Sequence, residues 1–332
     1  MNTTTAFISP LGGHIDRFLQ YKRAAGCRYR EEGRELRCLD RFLESHLTTD
    51  HPFITLDVVR AYLAHGGQRS EKTRKNRLGL IRELCRFLAV EDSRHEIPPR
   101  RFLGIRRRPY VQRILSREEG KRFLNACSNF PPAHCSPIRG TVHGTALTLL
   151  YLTGLRLGEA LRLTTEDVDL SAGLLHVRLT KFGKSRFVPM ASDVTERMRE
   201  CSNVVHRRLG PRDSKAQFFV GPTGKPVSKT ALRASFRQML SQADIAQHAS
   251  AKRPRLHDLR GTFAVHRLLR WYEQDADLEA KLPLLSTYLG HVGLASTQRY
   301  LQLTKELVGE VTRRHQAHFG HLIKDLVEGD SQ

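Results

Sequence analysis

The sequence predicts a mainly α-helical protein with one small antiparallel β-sheet, built as two domains. Three observations lead there. Apolar residues recur at helical spacing through the first hundred positions. A proline- and arginine-rich stretch without period then separates this region from the rest. One segment, LLHVRLTKFGKSRFVPM (174–190), alternates apolar and polar residues around a glycine turn, as a hairpin does. A length of 332 residues suits two domains, each large enough to bury a core.

The elements follow in order. IDRFLQYKRAAG (15–26) reads as an amphipathic helix ending at Gly26. GRELRCLDRFLESHL (33–47) reads as a second, with Leu36, Leu39, Phe42 and Leu43 on one face. LDVVRAYLAHGG (56–67) is a third, stopped by Gly66 and Gly67. SEKTRKNRLGLIRELCRFLAV (70–90) is the fourth, with Leu80, Ile81, Leu84, Phe87 and Leu88 at helical spacing. Residues 1–96 thus form a helical domain. IPPRRFLGIRRRPY opens a basic linker spanning 97–112. A second domain, 113–303, begins at LSREEGKRFL, where Ser116 and Glu119 make a capping box. It is mostly helical, with the hairpin above and a further short strand and turn at AQFFVGPTGKPVS (216–228). GPTGKP lacks the spacing of a phosphate loop and reads as a plain turn. Residues 304–332 form a tail helix, in which Phe319, Leu322, Ile323, Leu326 and Val327 make an apolar stripe.

Composition narrows the function. There are 55 Lys+Arg against 34 Asp+Glu, a formal charge of +21. Residues 1–110 hold 22 basic and 13 acidic residues, a net of +9, which leaves +12 for the remainder. Both parts are basic, so a polyanion such as nucleic acid is the expected partner. Lys72, Arg74, Lys75 and Arg77 at the start of the fourth helix, and Arg106, Arg107 and Arg108 in the linker, are candidate backbone contacts. The cysteines Cys27, Cys38, Cys85, Cys127, Cys135 and Cys201 form no CxxC pair and are expected to be small buried hydrophobes in a reducing compartment. The N-terminus has no secretory signal, and the apolar run ALTLLYL is too short to span a bilayer. A soluble, cytoplasmic protein without membrane contact is expected.

Four places set polar or ionisable groups beside apolar helix. TGLRLGEALRL (153–163) carries Arg156 and Glu159 at i and i+3, on one face. The hairpin turn carries Lys181 and Lys184 around Gly183. PRLHDLRGTFAVHRLL (254–269) carries His257 and Arg260, again at i and i+3. YLGHVGLASTQRYLQL (288–303) carries His291 and, nine residues later, Tyr300.

In this order the set Arg, Lys, His-x-x-Arg, His, Tyr resembles the active-site signature of the tyrosine recombinases, or phage integrase family. TGLRLGEAL looks like that family's first arginine box, RLHDLRGTFA its second, and YLGHVGLASTQRY its nucleophile box. The resemblance covers about 115–303, and the helical N-terminal segment resembles the family's core-binding domain. One departure is Gly261, where many members carry a second histidine. No arm-binding domain of the lambda-integrase kind is expected ahead of the first helix.

The resemblance implies a C-shaped clamp on double-stranded DNA and recombination through a 3′-phosphotyrosine. Arg156 and Arg260 would grip the phosphate, Glu159 would orient its neighbours, and Tyr300 would be the nucleophile. His257 would act as an acid/base group and His291 would donate to the phosphate. Lys181, with Lys184 as the alternative, would protonate the leaving 5′-hydroxyl. No metal or other cofactor is implied. The resemblance further implies a homotetramer on its recombination sites, with other recombinases of the same element as candidate partners; the tail's apolar stripe would be buried either on a neighbouring subunit, by tail exchange, or on the protein's own catalytic domain. A mobile-element integrase or transposase fits this reading. A Xer-like dimer-resolving recombinase, a type IB topoisomerase and a catalytically silent DNA-binding accessory protein are the competing readings.

Overall fold

The computed structural model describes residues 7–27, 29–65, 67, 69–104, 112–178, 185–245, 253–291, 293, 295–301 and 303. The chain divides into two compact units, Met1–Pro109 and Tyr110–Gln332. The tail stripe from Phe319 to Val327 lies outside the described residues.

The first unit holds four helices: α1 (Gly12–Ala24), α2 (Arg30–Glu44), α3 (Leu56–Ala64) and α4 (Glu71–Leu88). Side-chain caps fix two of their starts. The Thr55 hydroxyl accepts from the Val58 amide at 3.4 Å, and the Ser70 hydroxyl from the Thr73 amide at 3.2 Å. The apolar faces close on Ile15, Phe18, Leu36, Leu43, Ile54, Ile81 and Leu84. Burying each such side chain contributes roughly 1.5–3 kcal/mol.

Two expectations for this unit need correction. Arg77 does not offer its charge to a phosphate. Its side chain is 5 % exposed, lies 2.5 Å from the Glu35 carboxylate and stacks over the Tyr62 ring. The helical period turns position 77 inward with Leu78 and Ile81, and Glu35 of α2 neutralises the charge there. Lys72, by contrast, is exposed at the helix start, with Arg74 and Lys75 half-buried. The second correction concerns cysteines. Cys85, Cys127 and Cys201 are buried, whereas Cys27, Cys38 and Cys135 are exposed. Scatter along the chain says nothing of which helix face a cysteine occupies. The segment after α4 is docked rather than free. Arg82 donates to the Pro98 and Pro99 carbonyls at 2.7 and 2.6 Å, and Phe102 and Leu103 pack on the core.

The second unit is ordered around α6 (Arg139–Thr153), which is buried on almost every side. It packs against α5 (Arg117–Ser128), α7 (Leu157–Ala160), α8 (Ser192–Leu209), α9 (Lys229–Gln242) and α10 (Leu256–Glu273). Gly144 permits this crowding, since a Cβ there would fall 2.1 Å from the Cys127 carbonyl oxygen. The Ser116–Glu119 capping box starts α5, with distances of 3.1 and 2.8 Å. A three-stranded antiparallel sheet, β1 (Val168–Asp169), β2 (Leu174–Val177) and β3 (Arg186–Pro189), runs in that order. Leu175 faces Val188 and Val177 faces Arg186. Period two therefore sets Arg186 on the inward face with Val188, while His176 and Phe187 stack on the outer face at 4.7 Å. The strand expected near Phe218 is absent. Phe218, Phe219 and Val220 are buried, but they contribute only isolated bridges, Thr164 to Gln217 and Val220 to Pro226. Burial alone produced the apolar run. GPTGKP is a turn, closed by Gly221 N–H donating to Lys225 O at 2.8 Å. α11 (Leu278–Leu289) packs on α10, and residues 295–301 are helical. No helix among the described residues is long and apolar enough to cross a membrane.

Arg77→Ala is expected to destabilise the first unit by roughly 2–3 kcal/mol, below the 3–5 kcal/mol of a fully buried pair because Glu35 keeps some solvent. Urea unfolding of the purified protein measures it. A change under about 0.5 kcal/mol, the size of an ordinary surface substitution, would return Arg77 to the surface.

Candidate active site

The site is built where two helices end. α6 stops at Gly154 and α11 at Gly290, both left-handed, with φ of 62° and 67°. Helix ends leave carbonyl oxygens without intrahelical donors. Arginines supply the donors here. Arg260, on the second turn of α10, donates through Nη1 to Gly154 O at 2.8 Å and through Nη2 to Leu289 O at 2.7 Å. Arg156 donates through Nη2 to Gly290 O at 2.9 Å. Neither glycine tolerates a side chain. A Cβ on Gly154 would meet the Phe263 ring at 2.6 Å, and one on Gly290 would meet Arg186 Nη1 at 2.7 Å.

Arg156 is the N-cap residue of α7 rather than part of a continuous helix, and Glu159 is three residues in. The carboxylate of Glu159 accepts from Arg156 Nη1 at 2.7 Å and from the Arg156 backbone amide at 3.1 Å. It also accepts from Arg186 Nη2 at 2.9 Å. Burial pushes the Glu159 carboxyl up, but the hydrogen bonds from Arg186 and Arg156 outweigh it and leave the group below its ordinary value. Glu159 is therefore a carboxylate, almost wholly enclosed.

The ionisable partners respond to this concentration of positive charge. Burial, then the charge of Arg156, lowers Arg260 to about 10, which leaves it protonated at neutral pH. Burial and the neighbouring Arg260 also lower His257. His291 falls to about 4, through burial and then Arg260 and Arg156. Both imidazoles are neutral at pH 7. His291 Nδ1 lies 2.7 Å from the Thr297 hydroxyl. When that hydroxyl donates, the proton sits on Nε2, which becomes a donor. The Tyr300 ring stacks on the His291 ring at 6.1 Å and 22°, and is 5 % exposed.

The structure thus groups Arg156, Glu159, His257, Arg260, His291 and Tyr300 around the ends of α6 and α11. Lys181 and Lys184, with Arg106, Arg107 and Arg108, lie outside the described residues. His143 and His266 are packed, bonded to Ser235 at 2.7 Å and Leu115 O at 2.8 Å. Gly261 does more than drop a histidine. The Gln112 amide occupies the space a side chain would need, 2.6 Å from the position of a Cβ. Arg186 was missed in the sequence. The signal was there: RFVP alternates, so Arg186 shares the face of Val188, and a charge on an inward face needs a buried partner. Among the described residues, no group of three or more His, Cys, Asp or Glu is placed to hold a metal ion.

Two arginines, two histidines and a tyrosine gather at paired helix ends, an arrangement whose fixed donors suit an anion such as a phosphate. Residues 113–306 match the phage integrase family. The protein y4rB of Sinorhizobium fredii, named as an integrase/recombinase, is 34% identical over 304 residues, covering 90% of this chain and 95% of that one. Tyrosine recombinase XerC of Halalkalibacterium halodurans is 27% identical, with 85% and 88% covered. The Tn1549 transposon integrase, solved with transposon right-end DNA, shares the fold with a TM-score of 0.61 at 18% identity, covering 86% of this chain and 94% of that one. The chain belongs to the phage integrase family and is a tyrosine-type site-specific DNA recombinase.

The depressed histidines make stability pH-dependent. A histidine whose folded value lies below its unfolded one contributes stability that is fully present above about 6.5 and is lost as pH falls toward the folded value. For His291 that window runs down to about 4. Its ring resonances, followed by NMR in the DNA-free protein, are expected to stay those of a neutral imidazole down to pH 5.5. A midpoint near 6.5 would show that His291 is neither buried nor set among the arginines in solution.

Proposed function

We propose that the chain cuts and rejoins double-stranded DNA by attack of Tyr300 on a phosphodiester held by Arg156 and Arg260. The observation that carries this reading is the pair of guanidiniums fixed on the carbonyls at the ends of α6 and α11, beside the stacked His291 and Tyr300. Attack builds negative charge on the non-bridging oxygens. Fixed guanidiniums stabilise that charge without reorganising. The Tyr300 oxygen forms its bond to phosphorus as the bond to the 5′ oxygen breaks. The phenol proton passes to His257, which is neutral and able to take it. The departing 5′ oxygen takes a proton from Lys181, and His291 Nε2 donates to the phosphate. The phosphotyrosine keeps the energy of the broken bond, so a second 5′-hydroxyl rejoins the strand without ATP or metal.

Lys72, Arg74 and Lys75 on α4, with Arg106, Arg107 and Arg108, would follow the phosphate backbone. Both units are basic, as a protein that grips DNA from two sides must be. Exchange between two duplexes needs four active sites, hence a tetramer on DNA, working in the cytoplasm. A lambda integrase tetramer bound to a Holliday junction shares the fold at a TM-score of 0.55, with 18% identity and 88% and 80% coverage. The higher identity to y4rB, named as an integrase/recombinase, than to XerC supports the integrase reading over the Xer-like one.

Tyr300→Phe is expected to bind DNA as wild type does and to form no covalent complex on a denaturing gel. Covalent product from this variant would remove Tyr300 as nucleophile. Lys181→Ala is expected to be nearly inactive on ordinary DNA and to recover where sulfur replaces the 5′-bridging oxygen, since a thiolate leaves unprotonated. Recovery of Lys184→Ala instead would move the general acid to that lysine.

A further inference from the structure

Arg186 is a third arginine at the site, and none of the expected roles uses it. It opens β3 and points inward, opposite Val177. Its side chain is 10 % exposed, against 34 % for Arg156. Three groups hold it. Nη2 donates to Glu159 Oε2 at 2.9 Å, Nε donates to Tyr288 O at 2.7 Å, and the guanidinium lies against the bare Cα of Gly290. A hairpin residue thereby joins the first arginine box to the last turn of α11, immediately before His291.

The charges explain why such a residue is needed. Glu159 orients Arg156, but a carboxylate 2.7 Å away also cancels its charge. An arginine so neutralised is a poor clamp for an anion. Glu159 is shared between the two guanidiniums, with Oε1 nearest Arg156 Nη1 at 2.7 Å and Oε2 nearest Arg186 Nη2 at 2.9 Å. One carboxylate between two guanidiniums leaves one positive charge. Arg186 is the more buried member, so the surplus is expressed at the more exposed Arg156.

Resting on the reading of the site above, we propose that Arg186 is a positioning residue that compensates the Glu159 carboxylate and so keeps the charge of Arg156 available to the scissile phosphate. Glu159 fixes the direction of Arg156, and Arg186 offsets the electrostatic cost of that fixing.

The test is a charge-rescue cycle on the full-length protein. The probe is a pool of random-sequence duplexes with sulfur at 5′-bridging positions, which captures Tyr300 covalently and bypasses the hairpin lysine. Arg186→Met is expected to lower the capture rate about 100-fold, the size of losing one fixed donor, with DNA affinity falling by no more than about tenfold. Arg186→Met combined with Glu159→Gln restores the single surplus charge and is expected to recover at least about tenfold. A purely structural role predicts the opposite, because the double variant has lost more contacts. A double variant no faster than Arg186→Met overturns the proposal, as does Arg186→Met at the wild-type rate. Should Arg186→Met not fold, Arg186→Lys decides: it keeps the charge without the planar fork, so at least about a tenth of the wild-type rate is required, and less overturns the proposal. Wild-type protein that captures no duplex would sink the reading of Tyr300 instead. Inorganic phosphate, titrated by calorimetry, then settles Arg186: affinity falls about tenfold in Arg186→Met and returns in the double variant, and equal affinities overturn the role.

Discussion

The contact on which the second unit depends is the Arg260 guanidinium lodged between the terminal carbonyls of α6 and α11. A helix end buried without donors is unstable, because its carbonyls have left water for nothing. A guanidinium buried without acceptors is worse. Each answers the other's deficit, and the negative ends of two helix dipoles face the cation. This is why an arginine 2 % exposed can exist in this core at all. It also explains the site's rigidity. α6 is the helix around which the unit packs, so its end moves only if the core moves.

Gathering Arg156, Arg186 and Arg260 around the Glu159 carboxylate leaves the described residues of the site with a surplus of positive charge. Burial first, and that positive charge second, hold His257 and His291 below their ordinary values. On the proposed reading of the site, a phosphodiester supplies the balancing negative charge. Binding and the chemistry thus draw on one source: positive charge fixed in place before the anion arrives, in surroundings too dry to screen it.

Most of the helices were legible because amphipathic spacing survives any tertiary arrangement, and the hairpin because alternation flanked a glycine turn. The site's membership was legible from the order of short boxes along the chain. Its mechanics were not. The i, i+3 spacing brought Arg156 to Glu159, yet Arg156 caps a one-turn helix instead of lying within one. Arg77 looked like its basic neighbours, because its partner Glu35 is 42 positions earlier and nothing local marks the pair. Phe218 to Val220 looked like a strand because an apolar run records burial, which a buried loop satisfies as well. Arg186 was visible only once the strand's inward face was known.

The two left-handed glycines that end α6 and α11 carry an unexpected genetic weight. Each has its missing side chain's volume filled, Gly154 by Phe263 and Gly290 by Arg186, and each presents a carbonyl to a clamp arginine. Any base change that replaces either glycine strains the backbone and displaces the side chain packed there, Phe263 at Gly154 and Arg186 at Gly290. Decaying copies of such a gene should therefore lose function through these two uncharged codons as readily as through those of the ionisable residues. Intact glycines at 154 and 290 would then be as good a mark of a living copy as the tyrosine itself.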